Sequence, residues 1–87
     1  MSSTRKDRHT TQGYALAVAE VLRYEGSWST VVRELVRAYG LTLQKMCEAG
    51  VHEHDMEEFM KAARSSETAR QDLEVKLAEA TAEPRVG

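Results

Sequence analysis

One cysteine, one proline, one tryptophan and one phenylalanine are all that 87 residues contain of these types. The lone cysteine, Cys47, cannot form an internal disulfide, which suits a reducing compartment. No apolar run approaches the ~20 residues that a membrane-spanning helix needs. The basic start, Met1 to Lys6, is not followed by a continuous secretory core, and Glu20 interrupts the apolar stretch that begins at Tyr14. The sequence therefore reads as cytoplasmic, without a signal peptide and without a membrane partner. A glycine-rich phosphate loop, a nucleophile elbow and a Ser/His/Asp order are missing too. Carboxylates are numerous, but none forms a pair in apolar surroundings that would set a catalytic pKa. These absences exclude the common routes to catalysis and leave a non-enzymatic chain, without a cofactor, that acts by binding.

The length accommodates one domain. So small a core commonly draws on a partner or a second copy for stability. The net charge of −2 is unevenly spread. Residues 1–45 balance at +3 and residues 46–87 at −5. A weakly acidic whole argues against non-specific nucleic-acid binding as the main activity. The densest cluster is Glu48, Glu53, Asp55, Glu57 and Glu58. Such a run is either a solvated helix face or a patch that meets a basic partner.

The hydrophobic pattern is helical throughout, with nothing that reads as a strand, an internal repeat or a low-complexity tract. The expectation is an all-α bundle of four to five short helices over residues 11–83. Residues 1–10 read as a flexible basic arm and residues 84–87 as a frayed tail beyond Pro84. Thr10 or Thr11 caps a first helix that runs to about Glu25. Tyr14, Val18, Val21 and Leu22 form its stripe, and Ala15, Leu16, Ala17 and Ala19 make it greasy nearly all round. Gly26 stops it, and Ser27 or Ser29 caps the next. In the second helix Trp28, Val31, Val32, Leu35, Val36 and Tyr39 give the cleanest amphipathic pattern, closed by Gly40. Thr42 caps a short third helix with Leu43, Met46 and Cys47 on its apolar side, closed by Gly50. Asp55 and Glu58 have capping-box spacing for a fourth, striped by Met56, Phe59, Met60 and Ala63. Ser65-Ser66 marks a break, and a last helix spans about Glu67 to Ala82 on Ala69, Leu73, Leu77 and Ala80. Arg70–Glu74 and Asp72–Lys76 have the spacing of weak surface pairs on it.

The segment from Leu35 to Phe59 carries a second pattern. Gly40-Leu41-Thr42, the apolar pair Met46-Cys47, and then Gly50-Val51 stand in the order used by helix-turn-helix proteins. Met56 and Phe59 follow six and nine residues beyond Gly50. In these features the stretch resembles the lambda-repressor-like helix-turn-helix regulators, over about a quarter to a third of the chain. That resemblance implies DNA binding, with Thr42, Gln44 and Lys45 near the nucleic acid and Arg5, Lys6 and Arg8 on phosphates. The would-be recognition segment, however, reads His52-Glu53-His54-Asp55-Met56-Glu57-Glu58. Groove readers need Arg, Lys, Asn or Gln at base edges, and phosphates repel carboxylates.

A metal reading of His52-x-His54 with Cys47, Glu53 and Asp55 lacks the paired ligand spacing of a structural site, so no metal is expected. The reading preferred on the sequence is a small protein-interaction module, a bacterial or phage-type regulator or inhibitor. It would occupy a partner protein's surface, one with a basic nucleic-acid-binding site, through an acidic helical patch. Glu53, Asp55, Glu57 and Glu58 form that patch, with Met56, Met60 and Tyr24 as further contacts. A helix-turn-helix transcriptional regulator is the alternative. A homodimer is also expected, with helix contacts centred on Leu16, Leu73 and Leu77.

Overall fold

Three turns of one construction set the path of the chain. The structure, a computed structural model, describes residues 5–81. Among these lie six helices and no strand: α1 (Arg5–Glu25), α2 (Thr30–Tyr39), α3 (Leu43–Ala49), α4 (Glu53–Ser65), α5 (Glu67–Leu73) and α6 (Leu77–Thr81). Helices α2, α3 and α5 each end on a left-handed residue: Gly40, Gly50 and Glu74. After each comes an apolar residue whose N–H reaches back into the last turn. Leu41 N–H donates to the Val36 carbonyl at 3.0 Å, Val51 to Met46 at 3.1 Å and Val75 to Arg70 at 2.9 Å. This is the Schellman closure with its hydrophobic anchor. All three anchors are buried, so each turn is fastened to the core as well as capped.

Three helix starts are capped by hydroxyls, those of α2, α3 and α5. Ser29, Thr42 and Ser66 accept N–H bonds from Val32, Lys45 and Ala69 through their hydroxyl oxygens. Each satisfies a donor that the first helical turn leaves open. The alternation of left-handed residue, apolar anchor and cap accounts for Gly40-Leu41-Thr42 and Gly50-Val51-His52 as turn chemistry.

The core collects around α1 and α4. Phe59, Leu41, Met46, Leu73, Val18, Val32 and Val36 are fully buried. Helix α1 packs against α2, α3 and α4, and α4 packs against α5 and α6. The buried line of α1 is Ala15, Val18, Ala19 and Leu22. Tyr14 lies at its edge and stacks on Tyr39 of α2, ring centroids 4.0 Å apart and planes within 3°. Phe59 alone contributes roughly 3–5 kcal/mol of burial, by the usual cost of truncating such a ring.

Several boundaries differ from the sequence expectation. Helix α1 begins at Arg5, so residues 5–10, read as part of an arm, continue its turns. Asp55 does not cap α4; His52 does, its Nδ1 accepting the His54 N–H at 3.0 Å. Asp55 instead turns inward. The expected last helix is two, because Glu74 adopts the left-handed conformation at φ 56° and breaks it. Its two proposed surface pairs give way to tertiary bonds: Arg70 donates to the Ala63 carbonyl at 2.8 Å, and Asp72 turns to α2. Met1–Thr4 and the tail at residues 84–87 lie outside the described residues. No helix among those described is long and apolar enough to cross a membrane.

Candidate functional site: the acidic start of helix α4

The first two turns of α4 hold four carboxylates, and the fold sorts them into two pairs. Asp55 lies on the α1 side, on the same line as Phe59 and Ala63. It is 5% exposed. Its Oδ1 accepts from Arg23 Nη2 at 3.1 Å, and Glu58 Oε1 accepts from Arg23 Nε at 3.3 Å. Glu20, one turn before Arg23 on α1, takes its remaining Nη at 3.2 Å. One guanidinium thus holds three carboxylates, which its planar fork of donors suits. The hydrogen bond to Asp55 is the main influence that raises the Arg23 pKa above its ordinary value. Partial burial opposes it, and the charges of Glu20, Glu58 and Asp55 add to it. Arg23 therefore stays charged wherever the protein is folded.

Glu53 and Glu57 make the other pair. Both are exposed, one helical turn apart, on the side of α4 that faces away from α1. Neither carboxylate has a side-chain partner among the described residues. Farther along the outward side stand Lys61 and Arg64, so the helix is acidic at its start and basic at its end.

On the opposite, inward side of the α4 start runs an open cleft of about 660 Å³, between α1 and the α3–α4 turn. Leu16, Glu20, His52 and His54 line it, with Asp55 at its edge. Gln12 closes one end by donating from Nε2 to the Ala49 carbonyl at 2.7 Å. A second cleft, of about 230 Å³, lies between Trp28 and the α4 residues Glu58 and Lys61. Trp28 is fixed there by donating from Nε1 to Asp72 Oδ2 at 2.9 Å, while Arg33 reaches the same carboxylate.

The other residues singled out on the sequence are dispersed. Met56 and Met60 are half-buried against the core, so each offers only part of its surface. Tyr24 is 89% exposed, but it stands on α1. Cys47 is exposed, not on the buried side of α3; Met46 and Ala49 take that role. Leu73 is fully buried and cannot serve a dimer contact, whereas Leu16 and Leu77 are exposed. Thr42 is occupied as a cap, and Gln44 donates to Glu48 at 3.1 Å. Lys45 and Arg8 are exposed, and the side chains of Arg5 and Lys6 lie outside the described residues. No group of three or more His, Cys, Asp or Glu side chains among the described residues is placed to hold a metal ion.

Sequence reasoning missed Arg23 and Gln12, and it paired Asp72 with Lys76 rather than with Trp28 and Arg33. A salt bridge across 32 residues leaves no spacing signal, so the α4 partners of Arg23 cannot be read from its own helix. Compared with protein families, curated proteins and solved structures, the chain finds no match.

Proposed function

We propose that this chain is a non-enzymatic interaction module that occupies a basic surface of a partner protein with the outward face of α4. The observation that carries the reading is the division of the four carboxylates. Asp55 and Glu58 are consumed by Arg23, which leaves Glu53 and Glu57 as the free pair. Glu53, in the first turn, gains from the helix dipole. Glu57, a turn later, gains little from it and is repelled by Glu53 at i,i+4 spacing. Two unpaired like charges held side by side on a rigid helix suit recognition of Lys and Arg, where they speed encounter and add salt sensitivity. A small regulator or inhibitor that covers a nucleic-acid-binding site on its partner fits this surface.

The same geometry weighs against a groove-reading role. Under the helix-turn-helix resemblance α4 is the recognition helix. Its start, the part that would approach the bases, exposes Glu53 and Glu57, and its basic residues stand at the far end.

The decisive experiment uses the tagged full chain to capture partners from its native host, beside the variant Glu53→Gln/Glu57→Gln. A partner retained by the wild type and lost by the variant, at equal thermal stability, supports the reading. Equal capture by both, or a nanomolar shift of specific duplex DNA at near-physiological salt, overturns it.

A further inference from the structure

Gly13 is the residue that the isolated chain does not explain. It lies inside α1, its φ is not positive, and a Cβ built there meets nothing within 4 Å. A glycine within a helix weakens that helix relative to alanine. Within one copy the position therefore gains nothing from lacking a side chain. Its surroundings supply a reason. His9, Gly13, Leu16, Ala17, Glu20 and Tyr24 are all exposed. They recur every three to four residues, which puts them on one stripe of α1, opposite its buried line of Ala15, Val18, Ala19 and Leu22. Leu16 is 50% exposed, a large side chain left open beside the glycine.

We propose that this stripe is a homodimer seam, on which a second copy of the chain lays its own α1 antiparallel. The proposal concerns a different surface from the outward face of α4 and does not rest on it. Three features select a second copy as the occupant. The stripe is self-complementary: a two-fold axis that sets Gly13 of one copy against Leu16 of the other also sets His9 against Glu20, in the same register. A polar contact then fits, because the His9 imidazole of each helix meets the partner's Glu20 carboxylate, which Arg23 holds from one side only and which is 66% exposed. In a parallel pair Glu20 would face Glu20. Finally, Gly13 gives Leu16 of the partner a place to enter, so the axes can approach at the close end of the 8–10 Å range of helix packing, about 8 Å. One helix pair of this length buries less than the ~800 Å² per partner of a standard interface, so the expected dissociation constant is micromolar.

Sedimentation equilibrium on the purified full chain tests this, from roughly 1 to 300 µM, on both sides of the expected constant. The mass should rise with concentration from 9.8 kDa toward twice that value. Gly13→Leu should weaken dimerisation by at least about tenfold while the helical spectrum and melting temperature hold or improve. His9→Lys should tighten the dimer and His9→Glu should loosen it, because each faces Glu20 of the other copy. In a parallel pair the two His9 variants would move together. A monomer at the highest concentration overturns the proposal. So does a Gly13→Leu dimer of unchanged affinity, or a shift of both His9 variants in the same direction.

Discussion

Asp55 of α4 meets Arg23 of α1 at 3.1 Å, and this bond joins the two helices around which the core collects. The Asp55 side chain is 7% exposed and that of Arg23 26%, so water competes little at the carboxylate. Glu20, 66% exposed, touches the same guanidinium from the rim. Removing one partner of a shielded pair leaves the other charge uncompensated, which costs more than the pair itself contributes. Arg23→Ala should therefore lower the melting temperature more than Glu58→Ala, and Glu58→Ala more than Glu20→Ala. Circular-dichroism melts give the order directly. Equal small effects would mean that the cluster is a solvated ion pair with no structural role.

A second tie joins the far side of the bundle, where Asp72 of α5 accepts from Trp28 and Arg33. The Asp72 side chain is 6% exposed. Asp72→Ala strands the indole N–H and should cost about 1–3 kcal/mol. Asp72→Asn keeps one acceptor oxygen for Trp28 and should cost less. Trp28 is the chain's single tryptophan, so urea unfolding followed by its fluorescence reads both stability and local solvation. A native-state red shift is expected for the alanine variant, larger than for the asparagine variant.

Leu73 and Leu16 separate the core from the surface. The sequence puts both in an association surface, Leu16 because the first helix reads as apolar nearly all round and Leu73 because a narrow stripe on a late helix does not disclose what covers it. In the fold Leu73 is fully buried and Leu16 half open. Leu73→Ala should destabilise the fold by about 2–5 kcal/mol. Leu16→Ala should change the stability of the single chain by only about 0.5 kcal/mol or less. Chemical denaturation at a concentration low enough to hold the chain monomeric distinguishes them. Comparable losses would place Leu16 in the core and remove it from any seam.

What was legible in the sequence was local. The helical class, Thr42 as a cap, a serine cap at Ser27 or Ser29 (it is Ser29), and Gly40 and Gly50 as stops follow from residue chemistry within one turn of chain. So does the Ser65-Ser66 break, where Ser66 both ends α4 and caps α5. What depended on distant partners was not legible. Asp55 has the spacing of a capping residue, yet Arg23, distant in sequence, holds it inward and leaves the cap to His52. The acidic cluster was visible as a run, but its division into two inward and two outward carboxylates was not, because that division belongs to the docking of α4 on α1. Cys47 follows an apolar neighbour and reads as apolar with it; a small rotation of a two-turn helix decides which of the two is covered, and Met46 is. Gly13 carries no signal in the sequence, since a helical glycine is conspicuous only once the space around it is known.

Glu74 supplies the sharpest stability prediction, because its signal in the sequence was also absent. It occupies the left-handed closing position of α5 at φ 56°, as Gly40 and Gly50 do for α2 and α3. Its side chain is exposed. A left-handed conformation costs an L-residue with a Cβ roughly 1–2 kcal/mol, and glycine escapes that cost. Glycine also makes the unfolded chain more flexible, which returns about 0.5–1 kcal/mol. The difference favours Glu74→Gly by up to about 1 kcal/mol, a rise of roughly 4–8 °C for each kcal/mol in a domain of this size. Gly50→Ala should move the other way by a similar amount, since its φ is 73°; the added Cβ itself would find room, at ordinary contact distance from Gln12 Nε2. Differential scanning calorimetry on the two variants tests the pair together. If Glu74→Gly lowers the melting temperature, the turn after α5 is held by the Glu74 side chain rather than by its backbone, and the Schellman account of that turn is wrong.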